Sequence, residues 1–173
     1  MSLPWRIRAG DAADLDAVAP LWTAVHHQHK QVMPELAPYV SDDETWRMRR
    51  ALYEALLAKP DTLLLLALLD DRAVGYGLAH ILDRDETWVA DTWVTGPRIG
   101  EIESLSVVPE LRGSGIGSEM LDRLEAHLHE QGVDDLILGA LPDNTDAVRL
   151  YERRGFRPTW LYLSRFSDRR DDL

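Results

Sequence analysis

The chain has 173 residues, of which 45% are hydrophobic, and this composition suits one globular domain with a buried core. Cysteine is absent, which excludes disulfides, thiolate metal sites and a cysteine nucleophile. A formal net charge of −11 disfavours nucleic acid and anionic membranes as partners, and no apolar run reaches the roughly 18 residues of a membrane span. Because Met1 to Arg8 also lacks a signal-peptide stretch, we expect a cytoplasmic protein with no nucleic-acid and no membrane partner.

The first half of the chain predicts two helices followed by a β-hairpin. Asp11 is a candidate N-cap for the first helix, and Ser41 with Glu44 forms the capping-box pattern that opens the second. Two apolar runs joined by a very tight connection predict the hairpin. In chain order, the predicted elements are a strand at 5–8, a helix from Asp11 to the histidines at 26–29, a loop at 33–39, a helix from 41 to about Pro60, and strands at 62–69 and 73–82.

The second half predicts alternating strands and helices after an irregular stretch at 83–98. Gly132 is placed to end the longer helix, and Gly155 to end the shorter one. In chain order, the predicted elements are a strand at 99–108, a helix from about 116 to Gly132, a strand at 136–141, a helix at 144–154, and a final strand or strand pair at 156–166. This order predicts a mixed α/β (α+β) fold around one sheet, with a single domain over residues 1–173.

A glycine-rich turn, Pro109–Ser118, connects the strand at 99–108 to the helix that follows. Its glycines, at 113, 115 and 117, occupy alternate positions and can expose several backbone N–H groups together at a helix N-terminus. Such a turn favours a phosphate or pyrophosphate ligand. The Gly-Lys-Ser/Thr of the nucleoside triphosphate loop is absent, and the glycine spacing is not that of the dinucleotide fingerprint. The alternative is that the glycines make only a tight turn and a helix cap.

The turn and the segment after it resemble the GNAT superfamily of acyl-CoA-dependent N-acyltransferases. The family signature is Arg or Gln, two residues, Gly, one residue, then Gly or Ala, which Arg112, Gly115 and Gly117 match. The flanking residues that also agree with the family in spacing are Leu105, Val107, Pro109, Asn144, Leu150, Tyr151, Gly155 and Phe156. The clear similarity covers residues 99–166. It implies a mostly antiparallel sheet flanked by helices, with splayed strands that form an acyl-CoA cleft.

The resemblance implies acetyl-CoA as the acyl-donor cosubstrate. The backbone of the strand before the turn would pair with the pantetheine arm, and the turn would hold the pyrophosphate. Tyr151 would donate a proton to the departing sulfur, or its ring would only pack; Asn144 would contact pantetheine, cap its helix, or both. The implied cofactor-binding residues are Leu105, Ser106, Val107, Arg112, Gly113, Ser114, Gly115, Ile116, Gly117, Ser118, Asn144 and Tyr151.

Glu101 and Glu103 are the candidate general bases for the amine. Their two-residue spacing on one strand predicts that both project to one face, the face of Leu105. Partial burial would raise the pKa of such a carboxyl toward a useful range, whereas a solvated strand-end pair would have no such role. His26 and His29 share a helix face and are candidates for acceptor contact, an alternative base or a metal pair, although partly exposed helix-end residues are the simpler interpretation. No metal is expected.

The leading hypothesis is an N-acetyltransferase that moves an acetyl group from acetyl-CoA to a primary amine of a small molecule or peptide by direct attack in a ternary complex. The alternative is a non-catalytic acyl-CoA sensor or interaction module. The segments at 33–39 and 83–97 carry acidic residues, and the second also carries tryptophans; they would suit a cationic, partly apolar amine, or would cover a homodimer interface.

Overall fold

A five-stranded sheet lies at the centre of the fold, and the computed structural model describes it within residues 4–167. Residues 1–3 and 168–173 of the predicted 1–173 domain lie outside the described part. The strands are β1 (Trp5–Gly10), β2 (Leu63–Leu69), β3 (Arg72–Asp83), β4 (Arg98–Val107) and β5 (Leu136–Leu138), in that spatial order. The first four are antiparallel and β5 runs parallel to β4, so the mixed, mostly antiparallel sheet predicted from the sequence is confirmed.

Helices cover both faces of this sheet. They are α1 (Leu15–Val32), α2 (Asp42–Leu57), α3 (Ile116–Glu130) and α4 (Thr145–Arg153). The Ser41 hydroxyl accepts from the Glu44 N–H and Gly132 follows α3 with φ +75°, as predicted. The Asp11 carboxylate accepts from the Ala13 N–H, but it caps a short 3-10 helix, Ala12–Asp14, and α1 begins only after it. The described helices include none with the length and apolar character to cross a membrane.

The continuous apolar run of β2 is explained by two cores, one on each face of the sheet. Leu64 and Leu66 pack with α1 and α2, whereas Leu65 and Ala67 pack with α3. A strand covered by helices on both sides carries apolar residues at every position instead of alternating with polar ones. The sequence pattern left a helix open as an alternative here, and burial on both faces resolves it.

A β-bulge at Glu103 interrupts the alternation of β4. Leu78 of β3 lies opposite Ser104 and the next residue, Ala79, lies opposite Ile102, so Glu103 is an extra residue in β4. Glu103 therefore joins Ser104 on the face covered by α1 and α2, whereas Leu105 packs into the α3 core. The prediction that the two glutamates share the face of Leu105 is wrong, because spacing alone cannot register the bulge.

The C-terminal part of the sheet is shorter than predicted. The strand expected at 136–141 ends at Leu138, and within the described residues the segment 156–166 forms no strand. Residues 157–166 are exposed, and the Trp160 ring packs edge-to-face against Trp88 and Trp93 of the 84–97 loop. The alternating apolar pattern favours an extended chain, but a strand also requires a neighbouring ladder, and this segment contacts a loop instead.

Candidate functional site

The outer edge of β4 is open over its last residues. β5 pairs with β4 only from Gly100 to Ile102, so from Glu103 onward no described strand covers that edge. The Val108 N–H donates to the Val74 carbonyl of β3, and the Val107 carbonyl of the same peptide therefore points the opposite way, toward the open edge. Leu105, Ser106 and Val107 thus lie at an edge that no described strand covers, where Arg112 Nε approaches the Val107 carbonyl at 3.3 Å.

The glycine-rich turn at the end of this edge has the geometry of an anion site. Gly113 and Gly115 have φ +78° and +94°, and a Cβ added at either would meet nothing within 4 Å. Backbone conformation, not crowding, therefore requires glycine, and the space above the turn is empty of protein. Gly115 is the N-cap of α3 and its carbonyl accepts from the Glu119 N–H. The N–H groups of Ile116, Gly117 and Ser118 come before that bond, at the positive end of the helix dipole.

Side chains of the turn tie it to its surroundings. Arg112 donates through Nε to the Val107 carbonyl at 3.3 Å and through Nη1 to Gln28 Oε1 of α1 at 3.4 Å. Ser114 turns its hydroxyl inward onto the Leu111 carbonyl at 2.6 Å. The Ser118 carbonyl accepts from Arg154, which connects α3 to the end of α4. The side chains thus brace the turn, and the Ser114 N–H is also bonded within it, to the Leu111 carbonyl at 3.3 Å.

Asn144 and Tyr151 lie on α4, beside α3. Asn144 occupies the N-cap position, but its side chain makes no capping hydrogen bond, so the capping alternative applies to its backbone position alone. The Tyr151 ring packs against the α3-side core and lies edge-to-face to Phe156, with ring centroids 6.0 Å apart. Burial raises the pKa of the Tyr151 hydroxyl, because the phenolate would lose solvation. This hydroxyl therefore keeps its proton at neutral pH.

A cluster of charged side chains lies on the opposite face, at the bulge. Arg49 Nη1 of α2 lies 2.5 Å from Glu103 Oε1, and its guanidinium stacks 3.9 Å above the Trp22 ring of α1. His80 Nε2 of β3 lies 3.2 Å from Glu101 Oε2 and 4.0 Å from Glu103 Oε2. Burial raises the pKa of Glu103, and Glu101 adds to that effect, while Arg49 and His80 oppose it. The bulge thus presents a carboxyl that is easier to protonate than an ordinary glutamate.

Sequence reasoning did not single out His80. The signal was a lone ionisable residue in the apolar strand 73–82, two positions after Leu78 on the same face. Ligand atoms of His80, Glu101 and Glu103 lie within 4.8 Å of one another, a spacing that also suits a cation. The Arg49 guanidinium already occupies one oxygen of Glu103, so the charge that a cation would balance is partly balanced within the protein.

His26 and His29 lie inside α1, which continues to Val32, so the interpretation of both as partly exposed helix-end residues is wrong for His26. That residue is buried, with Nδ1 3.1 Å from Asp42 Oδ1. His29 is half-buried with its ring edge on Trp22, and burial lowers its pKa, with His26 and Arg49 adding to the effect. Of the two, His29 approaches the Arg49 and Glu103 cluster.

The profile of the acetyltransferase (GNAT) family matches residues 22–156 of the chain. A mycothiol acetyltransferase from Thermobispora bispora is 46% identical over 61 residues, which are 35% of this chain and 20% of that protein. The N-alpha-acetyltransferase 60 of Xenopus tropicalis is 34% identical over 83 residues, which are 46% of this chain and 34% of that protein. The matches thus span about a fifth to a third of the relatives' own length.

The fold is also similar to solved structures over nearly their whole length. A predicted acetyltransferase from Clostridium acetobutylicum, solved with acetyl-CoA, gives a TM-score of 0.68 at 21% identity and covers 92% of this chain and 96% of that one. At this identity the likeness concerns the fold.

Proposed function

The chain belongs to the acetyltransferase (GNAT) family, and on that premise we propose that it transfers the acetyl group of acetyl-CoA to a primary amine of a small molecule or peptide. One observation carries the proposal: β4 presents the Glu101–Glu103 carboxylates, then an open backbone edge, then the glycine-rich turn, in that order. These features match a base, a pantetheine-binding edge and a pyrophosphate-binding turn along one line.

Acetyl-CoA lies along this line in the proposed complex. Leu105, Ser106 and Val107 offer backbone groups to the pantetheine arm as a further strand would. The backbone of Gly113–Ser118 holds the pyrophosphate, which explains how an acidic protein can bind a polyanion without many basic side chains. Arg112 braces the turn through its contact with the Val107 carbonyl. The Asn144 side chain makes no capping hydrogen bond, so capping does not compete with a contact to the cofactor.

The reaction is a direct attack of the amine nitrogen on the thioester carbonyl carbon. The C–N bond forms, a tetrahedral oxyanion appears, and the C–S bond then breaks. Two protons leave an ammonium acceptor, and the first passes to the Glu103 carboxylate, directly or through water. Tyr151 gives its proton to the departing sulfur, and the second proton from the nitrogen passes through water to the Tyr151 phenolate and restores its hydroxyl. Because the cofactor and the amine meet in one site, positioning lowers the barrier without a covalent enzyme intermediate.

The raised pKa of Glu103 supports its choice as the base. A carboxyl with an ordinary pKa is a weak acceptor for an ammonium proton, because its pKa is far below that of the ammonium. Burial raises the pKa of Glu103 and makes this difference in pKa smaller. Glu103 lies at the bulge on the face of α1 and α2, where Arg49 stacks on the Trp22 ring. The Trp22 ring in turn contacts the His29 ring, so both residues lie near the Glu103 cluster. We assign this region to the acceptor. His29 would line the acceptor site, and His26 would support α1 through its contact with Asp42 of α2.

The acceptor belongs to the class of primary amines. The names of the relatives concern mycothiol and N-alpha acetylation, so a small-molecule amine and a peptide N-terminus are both within the proposal. The net charge of −11 favours the approach of a cationic acceptor.

Two measurements test the function. Calorimetry with acetyl-CoA should show binding in the micromolar range, and a panel of amines and N-terminal peptides should show amine-dependent release of the CoA thiol. Absence of binding at high protein concentration would overturn the proposal. Binding without thiol release above background hydrolysis, across the whole panel, would favour the sensor instead.

A further inference from the structure

His80 is a buried histidine whose two ring nitrogens have unequal surroundings. It lies opposite Glu101 in the β3–β4 register and is 4% exposed. Its Nε2 lies at ion-pair distance from two carboxylates, 3.2 Å from Glu101 Oε2 and 4.0 Å from Glu103 Oε2. Its Nδ1 is buried and has no hydrogen-bond partner among the described residues. The Nε2 side of the ring therefore lies near two carboxylates, and the Nδ1 side has no hydrogen-bond partner among the described residues.

The carboxylates determine where the ring carries its proton. A neutral imidazole has one N–H and one lone pair, and a lone pair turned toward two carboxylate oxygens would be repelled. The proton therefore belongs on Nε2. The lone pair then falls on Nδ1, where a buried acceptor without a donor destabilises the fold. Packing alone does not account for such a residue, because an apolar side chain would fill the same space without that cost.

Glu103 receives partners from every element packed against it. Arg49 and Tyr53 approach from α2, His80 from β3, and Glu101 from its own strand. The Trp22 ring of α1 lies beneath Arg49, and His29 of α1 interacts electrostatically with Arg49. Arg49 holds Oε1, and His80 lies on the side of Oε2. One oxygen of Glu103 thus has a close ion pair with α2, and the other has a longer electrostatic contact with β3.

We propose that His80 is a positioning residue for the base of the acetyl-transfer reaction. A proton on Nε2 attracts the Glu101 carboxylate from 3.2 Å and the Glu103 carboxylate from 4.0 Å, so that the two like-charged groups stay close to each other. Glu103 Oε2 then remains directed at the acceptor amine and takes its proton. This assignment rests on the proposed function. His80 itself touches neither the amine nor the thioester.

A pair of substitutions separates the donor from the bulk of the ring. The amide nitrogen of Gln reaches the place of the histidine Nε2, whereas that of Asn reaches only the place of Nδ1. We expect His80→Asn to lower kcat by about tenfold or more, with the acid limb of the kcat/KM profile moved to higher pH, because His80 opposes the rise in the pKa of Glu103. His80→Gln should recover most of the rate, and both variants should keep the wild-type Kd for acetyl-CoA and a similar Tm. Equal rates in the two variants, whether both normal or both low, would overturn the assignment.

A readout without turnover distinguishes this inference from the function on which it rests. Nitrogen-15 NMR of the imidazole in the unliganded protein should show Nε2 protonated, and a neutral ring with the proton on Nδ1 would overturn the positioning role even in an active enzyme. A wild-type protein that binds no acetyl-CoA would instead overturn the proposed function, and the rate comparison would fail with it.

Discussion

Arg49 of α2 and Glu103 of β4 form an ion pair, 2.5 Å between Nη1 and Oε1, across the interface of helix and sheet. Their side chains are 25% and 18% exposed, so the pair is largely shielded from water. Shielding makes the loss of one partner expensive, because the remaining charge is left in a poorly solvated place. The pair therefore couples the packing of α2 to the protonation state of the bulged residue.

The Arg49→Met variant should be less stable than the wild type by about 1–3 kcal/mol near neutral pH. The pKa of Glu103 is higher in the folded protein than in the unfolded chain, so the folded state binds this proton more tightly. The stability that the proton contributes is lost as pH rises from the unfolded pKa to the folded pKa. Removing Arg49 raises the folded pKa further and widens the pH range between the two values. Urea unfolding of both proteins at neutral and at mildly acidic pH checks this: the difference should shrink in acid, and a constant difference would contradict it.

The Glu103→Gln variant should reduce kcat/KM by about 10²–10⁴-fold, because the amide cannot accept the proton of the amine. Wild-type kcat/KM should fall as pH drops through the raised pKa of Glu103, and the variant should lack this acid limb. Glu101→Gln is the matched control on the same strand and face, and its effect should be smaller. If Glu101→Gln gave the larger loss, the roles of the two carboxylates would be reversed.

The Tyr151→Phe variant should lower kcat by about tenfold or more and leave the Kd for acetyl-CoA nearly unchanged. The ring keeps its contacts with the α3-side core and with Phe156, and only the proton donor is lost. Steady-state kinetics and calorimetry on the same preparation measure the two quantities. Turnover equal to wild type at the pH optimum would remove Tyr151 from the acid role.

Substitutions at the two ends of α3 test the glycine-rich turn. Gly115 and Gly132 have φ +94° and +75°, so a valine at either costs a similar strain of about 1–2 kcal/mol. Gly115→Val should weaken acetyl-CoA binding more than about tenfold, since its side chain enters the space above the turn, and Gly132→Val should not. Calorimetry on both, with thermal unfolding to match their stabilities, makes the comparison; equal affinities would argue against pyrophosphate binding at this turn.

Local patterns predicted most of the fold, including the position of the glycine-rich turn. The hairpin β2–β3, the caps at Asp11 and Ser41, and the positive-φ glycines of the turn all depend on residues close in sequence. Each is determined by local backbone preference or by helix and strand periodicity, which a single sequence displays directly.

Non-local features account for what the sequence did not predict. The bulge at Glu103 arises from the pairing of β4 with β3, and the role of His80 depends on its cross-strand neighbour Glu101. The absent strand at 156–166 depends on whether a partner edge exists, and Trp160 contacts Trp88 and Trp93 instead. Alternation along one segment carries none of this information.

The pairing of β4 with β3 does not require the extra residue Glu103, whereas the proposed reaction does. A chain that lacked Glu103 would bring Ile102 and Ser104 into ordinary alternation opposite Ala79 and Leu78, with every other side chain of the strand on its present side. The sheet would gain regularity, but the Arg49 guanidinium would lose its partner in a place that is largely shielded from water. Such a shortened protein is expected to keep the strand order of the sheet, to lose the proposed base, and to be less stable by the cost of the unpaired Arg49.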